Sequence, residues 1–146
     1  MKSDYFSIKE LVCKHVYERY GESAVMFLDD KLIETLNVIR EQILCAPMTV
    51  NNWHAGGNFT QRGLRCNICE LVKSKTDAGK LYLSAHMLGK AVDCNVEGMT
   101  AEEARRLIIA KQELLPYPIR LEDGVSWLHF DLYKNGKNEK VYLFKA

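Results

Sequence analysis

The chain has 146 residues, of which 47% are hydrophobic, and its 20 basic and 19 acidic side chains leave a net charge of +1. This size and apolar content predict one domain over residues 1–146 with a sizeable core. The balanced charge argues against nucleic acid and anionic membrane as main partners, because both require a concentrated basic surface. The sequence has no apolar run long enough for a transmembrane helix and no hydrophobic signal core after Met1. We therefore expect the chain to be cytoplasmic when it is synthesised.

Two helices are predicted in the first third of the chain. The capping-box pattern that begins at Ser7 predicts a helix over about residues 7–20, which Gly21 can end. His15 falls within this helix with no ligand partner nearby, so we interpret it as a surface or packing residue. A second helix is predicted over about residues 30–44, because apolar side chains recur on one face.

The next segment is predicted to be less regular. Residues 48–53 favour a strand, whereas glycines and polar residues over 54–80 indicate an irregular region beside a site. Cys66 and Cys69 have zinc-knuckle spacing, but no second such pair exists. A structural zinc or redox role for this pair is therefore disfavoured. The odd total of five cysteines favours free thiols over a disulfide framework.

The last third alternates a helix with short strands. A capping box at Thr100 predicts a helix that Pro116 ends. The remaining predicted elements are a strand over 119–121, a turn over 122–124, a strand over 126–133, a hairpin turn at Asn135-Gly136 and a returning strand over 140–144. Together these elements predict an α+β fold in which helices pack on a small, largely antiparallel sheet.

The strongest chemical pattern is a pair of histidines with one aspartate. His86 precedes Asp93 by seven positions, with Gly89 between them, and His129 follows in a short apolar strand. The apolar alternation around Asp93 predicts that a loop carries His86 into a strand that bears Asp93, beside the strand of His129. Two imidazoles and a carboxylate are typical ligands of a catalytic zinc that keeps one position open. The pattern therefore predicts a zinc site at the edge or on one face of the sheet, and favours a hydrolase.

These residues also carry a family resemblance. The residues concerned are Ser84, His86, Gly89, Ala91, Asp93, Trp127 and His129. At these positions the chain resembles the zinc D-Ala-D-Ala carboxypeptidase and dipeptidase family, which includes phage peptidoglycan endopeptidases and shares its fold with the hedgehog signalling domain. The resemblance covers roughly residues 47–133. It implies a hedgehog/DD-peptidase-like fold, a bound zinc ion and hydrolysis of peptidoglycan stem peptides or cross-links, and by analogy a phage or prophage lysis enzyme that reaches the cell wall on lysis.

One position departs from the family pattern. Most peptidases of this family have a catalytic glutamate three residues before the last histidine, and Ser126 stands there in this chain. Serine cannot act as a carboxylate base at neutral pH. The nearby acids Glu122, Asp123 and Asp131 are the alternative bases, and strand alternation also allows Asp131 to orient the imidazole of His129.

The resemblance further implies an arginine that binds the substrate carboxylate. Arg62 and Arg65 are the two candidates, and Ser84 is a further candidate for substrate binding. A chain that kept the metal but lost the base would instead be a zinc-containing module that binds a peptide or a partner protein. A third, less favoured hypothesis is a redox protein that uses Cys66 and Cys69.

Overall fold

The computed structural model describes residues 1–134, 136 and 138–146. The α-helices are α1 (Ile8–Leu11), α2 (Lys14–Tyr20), α3 (Asp30–Val38), α4 (Glu70–Asp77) and α5 (Ala101–Ala110). The strands are β1 (Met48–Thr49), β2 (Ala91–Val96), β3 (Ile119–Glu122), β4 (Leu128–Asp131) and β5 (Val141–Phe144). Tighter 3-10 turns cover Gly21–Phe27, Trp53–Ala55 and Gln112–Leu114, and the π-helical turn Ile39–Ile43 continues α3. In the part of the chain that is described, no helix is both long and apolar enough to cross a membrane.

The strands form one sheet in the order β1-β2-β4-β3-β5. Strand β2 is antiparallel to β1 and to β4, and β3 is antiparallel to β4. Only the pair of β3 and β5 is parallel among the described strands. The predicted α+β class and the largely antiparallel sheet are therefore confirmed.

The last strand takes a different place from the predicted one. Instead of returning beside β4, β5 pairs in parallel with β3, with Ile119 opposite Val141. Both sides of β4 are already occupied by β2 and β3, so the free side of β3 is the available edge. Asn135 of the predicted Asn135-Gly136 turn lies outside the described residues.

The two faces of the sheet differ in chemistry. One face carries apolar side chains that are at most 1% exposed: Val92, Cys94, Leu121, Leu128 and Phe130. They share one hydrophobic cluster with Leu32 and Leu36 of α3 and with Ala104 and Ile108 of α5. The alternate positions of the same strands carry polar side chains: Asp93, Arg120, Glu122, His129 and Asp131. Because side chains alternate along a strand, these polar groups lie on the face away from this core.

The predicted helix over residues 7–20 is interrupted, and the single-helix prediction is wrong. Val12 has extended dihedral angles between α1 and α2 and forms a β-bridge with Leu64. Its carbonyl accepts hydrogen bonds from Asn51 Nδ2 and Trp53 Nε1, both at 3.1 Å. These tertiary hydrogen bonds outweigh the local helical propensity of the segment.

The other helix predictions agree more closely with the structure. Gly21 ends α2 with a φ of 57°. Thr100 and Glu103 form the capping box of α5, but this helix ends at Ala110 and a 3-10 turn follows it, so the predicted end at Pro116 is wrong. The predicted helix over 30–44 corresponds to α3 and the π-helical turn that follows it.

Three segments differ in extent from their predictions. The strand predicted over 48–53 is only β1, which a 3-10 turn follows, and the strand predicted over 126–133 is reduced to β4. The region 54–80, predicted to be irregular, contains the eight-residue helix α4. The glycines at 56, 57 and 63 all precede this helix, so the backbone entropy that they lose on folding does not destabilise α4.

Candidate metal centre

Asp93 and His129 meet across two neighbouring strands. The antiparallel register of β2 and β4 places them directly opposite each other. His129 Nδ1 lies 2.7 Å from Asp93 Oδ1, and the two side chains are only 8% and 10% exposed. The sheet therefore brings together two of the three predicted ligands in a buried position.

His86 reaches the same place from the loop before β2. Its Nδ1 lies 2.9 Å from the carbonyl oxygen of Gly63, and its Nε2 lies 3.2 Å from Asp93 Oδ2. The loop turns at Gly89, which has a φ of 67°. A Cβ atom at this position would overlap the carbonyl oxygen of Phe27, so the glycine in the motif has a local structural cause.

The second nitrogen of His129 contacts another carboxylate. Its Nε2 lies 2.8 Å from Asp131 Oδ2. Asp131 also accepts two hydrogen bonds from Arg120, at 2.8 and 2.9 Å, and one from the backbone nitrogen of Tyr133 at 3.0 Å. Burial raises the pKa of the Asp131 carboxyl, but hydrogen bonds from His129 and Arg120 outweigh burial and lower the pKa. Asp131 is therefore anionic. His129 Nε2 is therefore the protonated nitrogen that donates to Asp131.

This hydrogen bonding leaves two lone pairs aimed at Asp93. A carbonyl can only accept, so His86 Nδ1 must donate to Gly63, and a neutral His86 then points its Nε2 lone pair at the carboxylate. A neutral His129 that donates to Asp131 points its Nδ1 lone pair at the same group. Electron-rich atoms at these distances attract one another only when protons or a cation lie between them.

The pKa values of the site reflect the same demand for positive charge. Burial raises the pKa of Asp93, but hydrogen bonds from His129 and His86 outweigh burial and hold the pKa well below its usual range. Burial lowers the pKa of His129, but its hydrogen bonds to Asp131 and Asp93 raise that pKa to about 9. When no metal is bound, protons on the two histidines therefore supply the positive charge that faces Asp93.

The donor geometry fits zinc. In a tetrahedral site with ligands at about 2.0–2.1 Å, neighbouring nitrogen and oxygen ligands stand about 3.3 Å apart. Asp93 oxygens lie 3.2 Å from His86 Nε2 and 2.7 Å from His129 Nδ1, and the three ligand atoms all lie within 4.8 Å of one another. The first distance is close to the tetrahedral value and the second is shorter, so the three side chains form a possible metal-binding group.

A cleft of about 300 Å³ opens onto these ligands. Its lining includes Arg65, Ser84, Glu122, Trp127, Tyr133 and Phe144. A larger cavity of about 450 Å³ lies between β2, the start of α5 and the loop before β4, and Ser126 lines that cavity. The larger cavity contains neither histidine, so we assign the chemistry to the smaller cleft.

The three acids proposed as bases occupy different environments. Asp131 is buried and fully hydrogen-bonded, whereas Asp123 lies outside the cleft lining and 3.8 Å from Arg105 Nε. Glu122 lines the cleft, and continuing the register of β3 with β4 places it opposite His129 on the same face. Among the described residues, the Glu122 carboxylate has no hydrogen-bonding or ionic partner.

The two candidate arginines also separate. Arg65 lines the cleft, and its Nη2 lies 3.2 Å from Asp93 Oδ2. Arg62 points elsewhere, because its Nη2 donates to Asn95 at 2.9 Å and its guanidinium stacks on Phe59. Burial lowers the pKa of Arg62. Of the two candidates, Arg65 alone is thus in a position to contact a molecule in the cleft.

Ser84 lies in the cleft lining with an unused hydroxyl. Its Oγ is enclosed and has no hydrogen-bond partner among the described residues. The cleft lining therefore includes a buried hydroxyl without a partner among the described residues, at the position named above as a candidate for substrate binding.

Sequence reasoning missed two arginines that shape the site. Arg120 binds Asp131, as described above, and strand alternation alone could have placed it on the polar face. Arg105 is buried in α5 and donates to the carbonyl oxygens of Val125 and Trp127 at 3.1 and 3.2 Å. These bonds satisfy the backbone of the loop before β4, which explains why that strand starts late; no pattern in the sequence signals this contact.

His15 is exposed, as predicted, but the prediction that it has no possible ligand partner nearby is wrong. His15 Nδ1 lies 3.4 Å from Cys66 Sγ and 3.8 Å from Cys69 Sγ. Cys13 completes a group of four side chains whose ligand atoms lie within 4.8 Å of one another. This group is separate from the cleft described above.

Comparisons with known proteins give no further guide to the site. No family model, no curated protein and no solved structure matches the chain.

Proposed function

We propose that this chain is a zinc-dependent peptidase with a hedgehog/DD-peptidase-like fold, and that it hydrolyses peptide bonds in peptidoglycan stem peptides or cross-links. The observation that carries the proposal is the convergence of His86, Asp93 and His129 at the base of an open cleft. Three protein ligands and an open fourth position are typical of catalytic rather than structural zinc.

Each residue of the site then has a distinct task. Zinc in such a site activates water and polarises the carbonyl group that is attacked. Glu122 takes the proton from the attacking water and returns it to the leaving amine, since its carboxylate faces the cleft and has no competing partner among the described residues. Asp131 is assigned to orienting His129, because all its hydrogen-bonding capacity is used.

The substrate assignment combines the cleft with the family resemblance. Arg65 supplies a positive group beside the metal ligands, suited to a substrate carboxylate or to the developing negative charge on the attacked carbonyl. Ser84 supplies a free hydroxyl in the same lining. These groups suit a short peptide with a terminal or side-chain carboxylate, and the resemblance narrows the class to cell-wall peptides that contain D-alanine.

The test compares Glu122→Gln with Asp123→Asn, which changes a neighbouring acid outside the cleft. Zinc content is measured by mass spectrometry and turnover by release of muropeptides from purified peptidoglycan. We expect both variants to keep the zinc of this site and His86→Ala to lose it. Glu122→Gln should reduce turnover by about 10²- to 10⁴-fold, the contribution of a general base, and Asp123→Asn should leave turnover near the parent value.

Two results would overturn the proposal. A parent protein that binds no zinc through His86 has no metal centre of the kind described. A parent that binds this zinc but releases no muropeptide favours the alternative function, a zinc-containing module that binds peptides or proteins. Ser126 gives that alternative its support, because it stands at the family's glutamate position and lines a different cavity.

A further inference from the structure

A second group of metal-binding side chains lies away from the cleft. It consists of Cys13, His15, Cys66 and Cys69, which we call the cysteine cluster. Cys13 and Cys69 are buried, Cys66 is half-buried and His15 is exposed. Three thiols and one imidazole form a donor set that selects zinc over magnesium or calcium, which prefer oxygen ligands.

The distances among Cys66, Cys69 and His15 match tetrahedral coordination. Around zinc, two sulfur ligands stand about 3.8 Å apart, and a sulfur and a nitrogen about 3.6 Å apart. Cys66 Sγ and Cys69 Sγ are separated by 3.8 Å. The His15 Nδ1 distances of 3.4 and 3.8 Å to these two sulfurs bracket the second value.

Backbone hydrogen bonds close the Cys66–Cys69 turn, and one of them reaches the sulfur of Cys69. The backbone nitrogen of Cys66 donates to Cys69 Sγ at 3.4 Å, and the backbone nitrogen of Cys69 donates to the carbonyl oxygen of Cys66 at 3.2 Å. A hydrogen bond to sulfur favours the thiolate, which is the form that binds metal. The turn therefore presents both side chains to one point.

Tertiary contacts bring Cys13 to this turn across more than fifty residues. Cys13 N donates to the carbonyl oxygen of Leu64 at 3.0 Å, and Leu64 N donates to the carbonyl oxygen of Leu11 at 2.8 Å. Gly63 lies so close to Leu11 that a Cβ atom there would overlap the Leu11 carbonyl oxygen. The break between α1 and α2 thus delivers Cys13 and His15 to the cluster.

We propose that the cysteine cluster binds a structural zinc ion that fastens α2 to the segment 61–69. Four protein ligands close the coordination sphere, so this ion has no open position for catalysis. The same segment carries Arg65, which contacts Asp93, and Gly63, which accepts the hydrogen bond from His86. The ion therefore stabilises the backbone that orients part of the cleft. This proposal does not depend on the proposed peptidase activity.

The test uses the full chain and measures metal binding rather than activity. The parent should contain about two zinc ions per chain, one at each group of ligands. Replacement of zinc by cobalt should produce thiolate-to-metal charge-transfer absorption, which only the cysteine cluster can give. This absorption should persist in His86→Ala and fall by about a third or more in Cys66→Ser, which removes one of three thiolates. Cys45→Ser, which changes an exposed cysteine outside the cluster, should leave it unchanged.

The His15→Cys variant keeps four ligands, so it tests the site even if Cys66→Ser does not fold. If His15 is a ligand, this variant should retain both metal ions and increase the charge-transfer absorption, because a fourth thiolate is added. Unchanged absorption would remove His15 from the site and overturn the proposed ligand set.

Other outcomes contradict the proposal directly. A cobalt-loaded parent without charge-transfer absorption has no thiolate site. Absorption that is unchanged in Cys66→Ser would show that Cys66 is not a ligand and would overturn the proposed ligand set. Thiol titration of the denatured parent with a chelator should find all five cysteines free. A finding of three would show a disulfide, and the cluster would then be a redox pair instead of a zinc site. If His86→Ala loses only the cleft metal, the result supports the metal centre of the proposed function and leaves the cysteine cluster as a separate zinc site.

Discussion

Asp131 accepts a hydrogen bond from His129 Nε2 at 2.8 Å, on the side of the imidazole away from Asp93. This contact fixes both the ring orientation and the tautomer that leaves Nδ1 free to bind a metal. Arg120 in turn holds Asp131 from the next strand. The chain of three side chains suggests that Asp131 acts through His129.

The Asp131→Asn variant tests this positioning role. An amide cannot accept from Arg120 and His129 as a carboxylate does, so the imidazole loses its orientation and some basicity. We expect the zinc affinity of the cleft site to fall by about 10- to 100-fold, measured by competition with a chelator. Asp123→Asn, outside the cleft lining, should leave the affinity unchanged. Normal zinc affinity with abolished turnover in Asp131→Asn would instead make Asp131 a base.

Arg65 and Arg62 form a second matched pair for mutation. Arg65→Met removes the guanidinium that lines the cleft, whereas Arg62→Met removes one that binds Asn95 outside it. At saturating zinc, kcat/KM for peptide hydrolysis should fall by about 10²- to 10³-fold in Arg65→Met, the cost of losing one group that stabilises developing charge. Arg62→Met should change kcat/KM much less. Equal losses in both variants would refute the assignment of Arg65 to the substrate.

The sequence predicted that His86, Asp93 and His129 converge, because the signals for this are local. Alternation along two strands placed Asp93 and His129 on one face, and the glycine between His86 and Asp93 marked a close turn. Both features survive in the structure. The choice among the three acids was not possible at that stage, because it depends on the register of β3 with β4 and on the partners that already occupy Asp131.

The cysteine cluster shows the opposite case. Local propensity predicted an unbroken helix through Cys13, and in that helix His15 had no partner. The break depends on Leu64, which contacts Val12 from a distant part of the chain. A tertiary contact of this kind leaves no periodic pattern in either segment, so the spacing of Cys66 and Cys69 alone could not identify the other two members.

A comparison of alanine variants at Gly89 and Gly79 distinguishes the effect of backbone strain from that of steric overlap. Both have positive φ, at 67° and 64°, but a Cβ atom at Gly79 meets open space whereas one at Gly89 overlaps the carbonyl oxygen of Phe27. Gly79→Ala should reduce the free energy of unfolding by about 1 kcal/mol. Gly89→Ala should cost about 1–3 kcal/mol more, because the loop that carries His86 must move.

Denaturant unfolding of the two glycine variants, with zinc content measured alongside, checks this difference. We expect Gly89→Ala alone to bind the cleft zinc more weakly. Similar unfolding free energies for the two variants would show that the loop accommodates the methyl group and that the close approach to Phe27 is unimportant.

Asp29 links the metal-binding loop to α3 and gives a pH-dependent prediction. Its side chain accepts a hydrogen bond from Lys31 N at the start of α3 and forms an ion pair with Lys90, and its backbone nitrogen donates to Gly89 O at 3.0 Å. Burial raises the pKa of Asp29, but the hydrogen bonds from Lys90 and Lys31 outweigh burial and lower it. A lowered pKa in the folded state contributes stability above the unfolded value of about 3.9, and this contribution is lost as pH falls through the folded pKa.

The Asp29→Asn variant keeps a good helix cap and removes only the charge. At neutral pH it should be less stable than the parent by about 0.5–1 kcal/mol, a small value because Lys90 is partly exposed. The difference should begin to shrink below about pH 4, where this carboxylate becomes protonated in the unfolded parent, and should shrink further as pH falls towards the folded pKa. Asp30→Asn, whose side chain is 74% exposed, is the control and should show little change at any pH. Unfolding free energies measured from pH 3 to 7 give the comparison, and a difference that stays constant across this range would mean that the ion pair with Lys90 contributes no stability.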